Sequence, residues 1–67
     1  MDLKLNDNER ACFERAVYFN VVRGNVRSRT IVRVEDFEAA KALGTGDGRS
    51  MIYAVTAEDR SAHIANV

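Results

Sequence analysis

Arginine is the residue type whose placement carries the most chemistry in this chain. Between positions 10 and 33 the bases are Arg10, Arg15, Arg23, Arg27, Arg29 and Arg33, opposed by Glu14 alone. A guanidinium is a planar fork of N–H donors that grips carboxylate or phosphate with two parallel hydrogen bonds. Arg27, Arg29 and Arg33 are separated by even numbers of residues, so one extended strand would project all three from one side. Tyr18 and Asn20 lie on the neighbouring segment, where a tyrosine ring adds a stacking plane. The candidate binding residues are therefore Tyr18, Asn20, Arg27, Arg29, Ile31 and Arg33. Such a surface suits an acidic protein partner. A two-stranded ribbon bearing arginines also fits a DNA major groove, so nucleic acid is the alternative partner. A third reading leaves the arginines as solubilising charges on an exposed β face that is kept from aggregating.

Other reactive types are sparse. Cys12 and His63 would have to meet in space to act as nucleophile and base. Cys12 falls on an apolar helical stripe, where a small thiol packs rather than reacts. One Cys and one His do not make a four-ligand zinc site without carboxylates or a second chain, so no metal or cofactor is expected. The run Gly44-Thr45-Gly46-Asp47-Gly48-Arg49-Ser50 is glycine-rich, but it leads from a helix into a strand. Phosphate-binding glycine loops do the reverse and use the helix N-terminus. It reads as a connector. Asp36, Glu38, Glu58 and Asp59 read as a cap, a helix-surface charge and turn residues, and no enzyme activity is expected.

The elements that would position the arginines follow from the pattern. Asn6 to Arg15 reads as a short N-terminal helix, with Asn6 as cap and Glu9 completing a capping box. Ala16–Arg23 and Val26–Val34 are rich in β-branched and aromatic residues and flank Gly24-Asn25, which predicts a two-residue hairpin turn. That turn sets Arg23 opposite Val26, Val21 opposite Ser28, Phe19 opposite Thr30 and Tyr18 opposite Ile31. One face then carries Val17, Phe19, Val21, Val26, Ser28, Thr30, Val32 and Val34, and is expected to be the core face. The other carries Tyr18, Asn20, Val22, Arg27, Arg29, Ile31 and Arg33. Asp36 caps a second helix over Phe37–Leu43, which Gly44 is expected to stop. Met51–Ala57 and Ser61–Val67 form a second hairpin around Glu58-Asp59-Arg60.

The predicted architecture is a small α+β two-layer sandwich, ββαββ, with two β-hairpins flanking one helix and a four-stranded, mainly antiparallel sheet. A crossover would set the third strand parallel to the second. Placement beside the first strand gives the order 2-1-3-4 with every pair antiparallel, and this is preferred. Met51 and Tyr53 would join the arginine face. Its apolar content requires a cover, which the N-terminal helix or a partner would supply.

Length and charge bound these readings. The chain has 67 residues, ten Lys and Arg, ten Asp and Glu, and a hydrophobic fraction of 46%. It is too short for two ordinary domains and too apolar for intrinsic disorder. One domain over 1–67 is expected, with residues 1–5 as a loose tail or edge strand. A core this small is marginal, so tight packing or a homodimer must stabilise it. Neutrality argues against a general polyanion binder. It conceals a gradient, however: −2 over residues 1–9, +5 over 10–33 and −3 over 34–67. No membrane span or leader is evident, the lone cysteine suits a reducing compartment, and a cytoplasmic location is expected.

The order hairpin–helix–hairpin over residues 16–67 is similar in layout to some small phage anti-CRISPR proteins. That resemblance, of element order only, implies a non-enzymatic protein that docks on an effector surface. The first hairpin and helix also resemble the arm-binding domains of tyrosine integrases, which bind DNA. The second hairpin departs from that pattern.

Overall fold

A computed structural model describes residues 4–24 and 27–67. The chain runs α1 (Asp7–Glu14), β1 (Ala16–Gly24), β2 (Arg29–Val34), α2 (Phe37–Ala42), β3 (Met51–Thr56) and β4 (Ser61–Asn66). The four strands form one open sheet in the order β2-β1-β3-β4, and every neighbouring pair is antiparallel. This is the ββαββ sandwich with an additional N-terminal helix. Of the expected tail or edge strand, residues 1–3 lie outside the described residues. Lys4 belongs to no strand, and Leu5 packs against the core.

Both helices begin on local chemistry. The Asn6 side chain accepts from the Glu9 backbone N–H at 2.8 Å, and the Glu9 carboxylate accepts from the Asn6 N–H at 2.9 Å. This reciprocal pair satisfies two donors that the first turn would otherwise leave unpaired. In α2 the Asp36 carboxylate accepts from the Ala39 N–H at 2.7 Å. Neither helix is long enough to persist alone, so each depends on burying its apolar stripe.

Both stripes bury against the same side of the sheet. The core joins Cys12, Phe19, Val21, Ala40, Ile52, Ala54, Ala62 and Ile64, with Phe13, Ala16, Val34, Phe37 and Leu43 packed around it. Ile52 and Val21 are completely buried, each contributing roughly 1.5–3 kcal/mol of transfer free energy. α1 covers the β3–β4 half and α2 the β1–β2 half. Three rings knit the halves together. Phe13 on α1, Phe19 on β1 and Phe37 on α2 stand with centroids 5.1–5.9 Å apart at tilted or edge-on angles. Edge-to-face contact of this kind adds about 0.5–1.5 kcal/mol per pair beyond area burial.

The first hairpin departs from its expected register. Phe19 pairs with Val34, Val21 with Val32, Val22 with Ile31 and Gly24 with Arg29. Positions 25–28 therefore lie between the strands, and a two-residue Gly24-Asn25 connection is excluded, although Asn25 and Val26 themselves lie outside the described residues. β2 starts at Arg29 rather than Val26. The reason is apolar matching. The expected register would set Ser28 against Val21 and Thr30 against Phe19, whereas the observed one sets Val32 and Val34 there. Because the displacement is four residues, an even number, each residue of β2 keeps its face.

Val17 is a second correction. The β1–β3 register shifts between Ala16 and Tyr18, so Val17 is an extra residue in β1. Ala16 packs on the core in its place, and Val17 is 51% exposed. A comparable shift between Ile52 and Tyr53 makes Ile64 the extra residue of β4. Ile64 and its neighbour Ala65 then both reach the helical side.

Gly44 stands directly after the Leu43 cap, where α2 ends as expected, but its φ is not among the positive values found at Gly24, Gly46 and Gly48. A glycine is needed because Val67 lies against it: a Cβ there would stand 2.5 Å from Val67 Cγ2 and 3.0 Å from the Val67 carbonyl carbon. Val67 is held in place by Ser50, whose carbonyl accepts from the Val67 N–H at 2.8 Å.

Candidate functional site

With both helices on one side, the second face of the sheet is left without a covering layer of this chain among the described residues. Its strand positions follow from the registers. Arg29, Ile31 and Arg33 stand on β2, Tyr18, Asn20 and Val22 on β1, Met51, Tyr53 and Val55 on β3, and Ser61, His63 and Asn66 on β4. Five of the six sequence-predicted residues are thus brought together: Tyr18, Asn20, Arg29, Ile31 and Arg33. Arg27 is exposed in the connection between β1 and β2 and is not part of the ladder.

The face has an apolar floor. Val22, flanked across the ladders by Ile31 and Met51, is buried, and Val55, opposite Tyr18, is 3% exposed. Ile31 is 59% exposed, unusual for a β-branched residue on a strand. Around the floor stand polar tips. The Arg33 guanidinium carbon lies 3.9 Å from the Tyr18 ring centroid. Tyr53 and His63 are paired across β3–β4 with rings 5.4 Å apart, and the His63 Nε2 lies 2.6 Å from Asn66 Oδ1. Met51 and Tyr53 were expected on this face. His63 and Asn66 were not included in it, although the weak alternation of Ser61–Val67 carried the signal.

The electrostatics are one-sided. No Asp or Glu occupies a strand position on this face. Among the described residues, Arg29 and Arg33 form no ion pair. The two pairs present are Lys41–Glu38 at 3.1 Å on α2 and Arg49–Asp47 at 4.0 Å in the α2–β3 loop. Most acids lie elsewhere: Asp7, Glu9 and Glu14 are on α1, Asp36 and Glu38 begin α2, Asp47 is in the α2–β3 loop, and Glu58 and Asp59 are in the β3–β4 turn. Glu35 directly follows β2, two residues after Arg33, and forms no ion pair among the described residues.

The remaining candidates separate. Cys12 is buried beneath the helical layer, whereas His63 is exposed on the opposite face, so the sheet lies between them. No group of three or more His, Cys, Asp or Glu able to hold a metal is found among the described residues. The glycine loop is organised by Asp47, whose carboxylate accepts from the Thr45 hydroxyl and from the Arg49 N–H. Those bonds, the Thr45 one foremost, hold the Asp47 carboxyl below its ordinary pKa of 3.8. A shallow cleft between α1 and the β3–β4 turn is lined by Asn8, Ala11, Cys12, Arg15, Thr56, Glu58 and Arg60. Its charges are of both signs and give it no clear ligand preference.

Fold and face together define a small open-faced α+β sandwich with an arginine- and tyrosine-bearing sheet surface. Comparisons with protein-family models, with curated proteins and with solved structures found no match. No helix among the described residues is long and apolar enough to cross a membrane.

Proposed function

We propose that this chain is a non-enzymatic protein-binding module whose working surface is the uncovered face of the sheet. The observation that carries the reading is the pairing of an apolar floor with arginines that have no carboxylate partner among the described residues. Ile31, opposite buried Val22, projects into solvent, and Arg29 and Arg33 flank it without a carboxylate partner among the described residues. Apolar anchors ringed by arginine and tyrosine are the composition of protein interfaces. The complementary surface is apolar at its centre and acidic at its rim. An effector protein of the kind that small phage inhibitors dock on would be one such partner.

Affinity capture with wild type and an Ile31→Glu/Arg33→Glu variant tests this, combined with hydrogen-exchange footprinting of each captured complex. A footprint on the uncovered face, and loss of that partner by a variant that still folds, are the expected results. A footprint confined to α1 and α2, or identical capture by both baits, would overturn the reading. The nucleic-acid alternative makes a different forecast: binding of DNA or RNA oligonucleotides that collapses steeply as salt is raised.

A further inference from the structure

We propose that the partner's binding segment is an extended chain that adds to the sheet as a fifth strand along β2, with acidic side chains facing Arg29 and Arg33. This rests on the reading of the uncovered face as a protein-binding surface and specifies the partner's chemistry. Three observations combine.

First, β2 is an edge. Among the described residues the order β2-β1-β3-β4 leaves it paired on one side only, and the partner on that side is β1. An edge strand offers a row of backbone N–H and C=O groups, which is the template that strand-adding peptides use. Second, the edge is exposed. Every residue from Arg29 to Ile31 is open to solvent, as is Arg33, and α2 reaches this half from the other face. Third, the side chains along the edge form a code. Arg29, Ile31 and Arg33 alternate base, apolar, base on the uncovered face, and neither arginine is satisfied by a carboxylate among the described residues. Directly opposed side chains on adjacent strands share a face, and opposite charges there are favourable. The matching strand therefore reads acid–X–apolar–X–acid. Running antiparallel, it sets one acid against Arg33, the apolar residue against Ile31 and the second acid against Arg29.

The same code opposes a second copy of this chain as the occupant. Self-pairing with Ile31 opposite Ile31 sets Arg29 against Arg33 twice, and like charges directly opposite destabilise a ladder.

The probe is the capped heptapeptide Thr-Glu-Thr-Val-Thr-Glu-Thr, added to the full chain and followed by amide exchange and binding anisotropy. The expected results are protection of β2 amides and binding at least about tenfold tighter than the Lys-for-Glu peptide. Arg29→Gln/Arg33→Gln should cost about tenfold. N–H groups on alternate strand residues point to opposite edges, so N-methylation of one alternate set should abolish binding and of the other should not. Absence of binding, or equal loss from both methylated peptides, overturns the added strand. So does a dimer whose β2 amides are protected before peptide is added. A peptide that perturbs Val22, Tyr53 and Val55 without protecting β2 also overturns it, while leaving the uncovered face as the docking surface. Tyr53→Lys separates the two in the other direction. On β3, away from the edge, it should weaken capture of the natural partner and leave the heptapeptide's affinity unchanged. If capture also survives, the partner's contacts on this face are confined to the β2 edge, and the wider face is not its docking surface.

Discussion

The Arg33 guanidinium lies over the Tyr18 ring, 3.9 Å from its centroid, across the β1–β2 ladder. Asn20 is the residue directly opposite Arg33, so the contact is diagonal. It places the guanidinium over the ring, and among the described residues no ion pair engages its N–H groups. It also lowers the rotamer freedom that would otherwise be lost on binding.

A double-mutant cycle with Tyr18→Leu and Arg33→Gln measures that contact. At a solvent-accessible position the coupling should be about 0.5–1 kcal/mol by denaturant unfolding. A coupling indistinguishable from zero would mean that the ring does not orient the arginine.

Gly44→Ala should destabilise the fold by about 1–3 kcal/mol, because its Cβ meets both the side chain and the backbone of Val67. Adding Val67→Gly removes the colliding side-chain atoms and should recover part of the loss. Gly46→Ala meets no atoms within 4 Å but has φ +83°, so its cost, about 1–2 kcal/mol, comes from backbone strain alone and no second substitution at Val67 relieves it. Thermal unfolding of Gly44→Ala and Gly46→Ala, each with and without Val67→Gly, separates the two mechanisms.

Asp47 should titrate below 3.8 in the folded protein, followed by its side-chain carbon resonance. Thr45→Val removes the leading cause and should move the value back toward 3.8. The sign follows from linkage. A depressed carboxyl contributes stability that is complete above pH 3.8 and is lost as pH falls through the folded value. Unfolding midpoints of wild type and Thr45→Val should therefore converge in acid.

The sequence was most legible where a single residue decides an outcome. Asn6 with Glu9, and Asp36, mark the two helix starts because a capping side chain acts on backbone three residues away. The strand order was legible through the two antiparallel hairpins and the preference for closing β3 beside β1. Register was not legible, because it is set by which apolar rows meet. Val32 and Val34 align with Val21 and Phe19 at the expense of the short turn that Gly24-Asn25 suggested. The candidate face nevertheless emerged with five of its six residues together, since a four-residue displacement preserves alternation. Val17 was misplaced because an extra residue in β1 breaks that alternation, and nothing local announces it. Gly44 does follow the end of α2, but the second demand on it, room for Val67 more than twenty positions away, has no local signal.

The three phenylalanines of the core give the molecule a property beyond packing. Phe13 and Phe37 meet at 5.1 Å, and each leans on Phe19, so the two helices and the central strand share one aromatic contact. Residues 24 apart in the chain are thereby locked to the strand between them. On this geometry the layer behind the sheet should open as a single cooperative unit rather than as two independently fraying helices, which amide exchange of α1 and α2 would show as a shared protection factor.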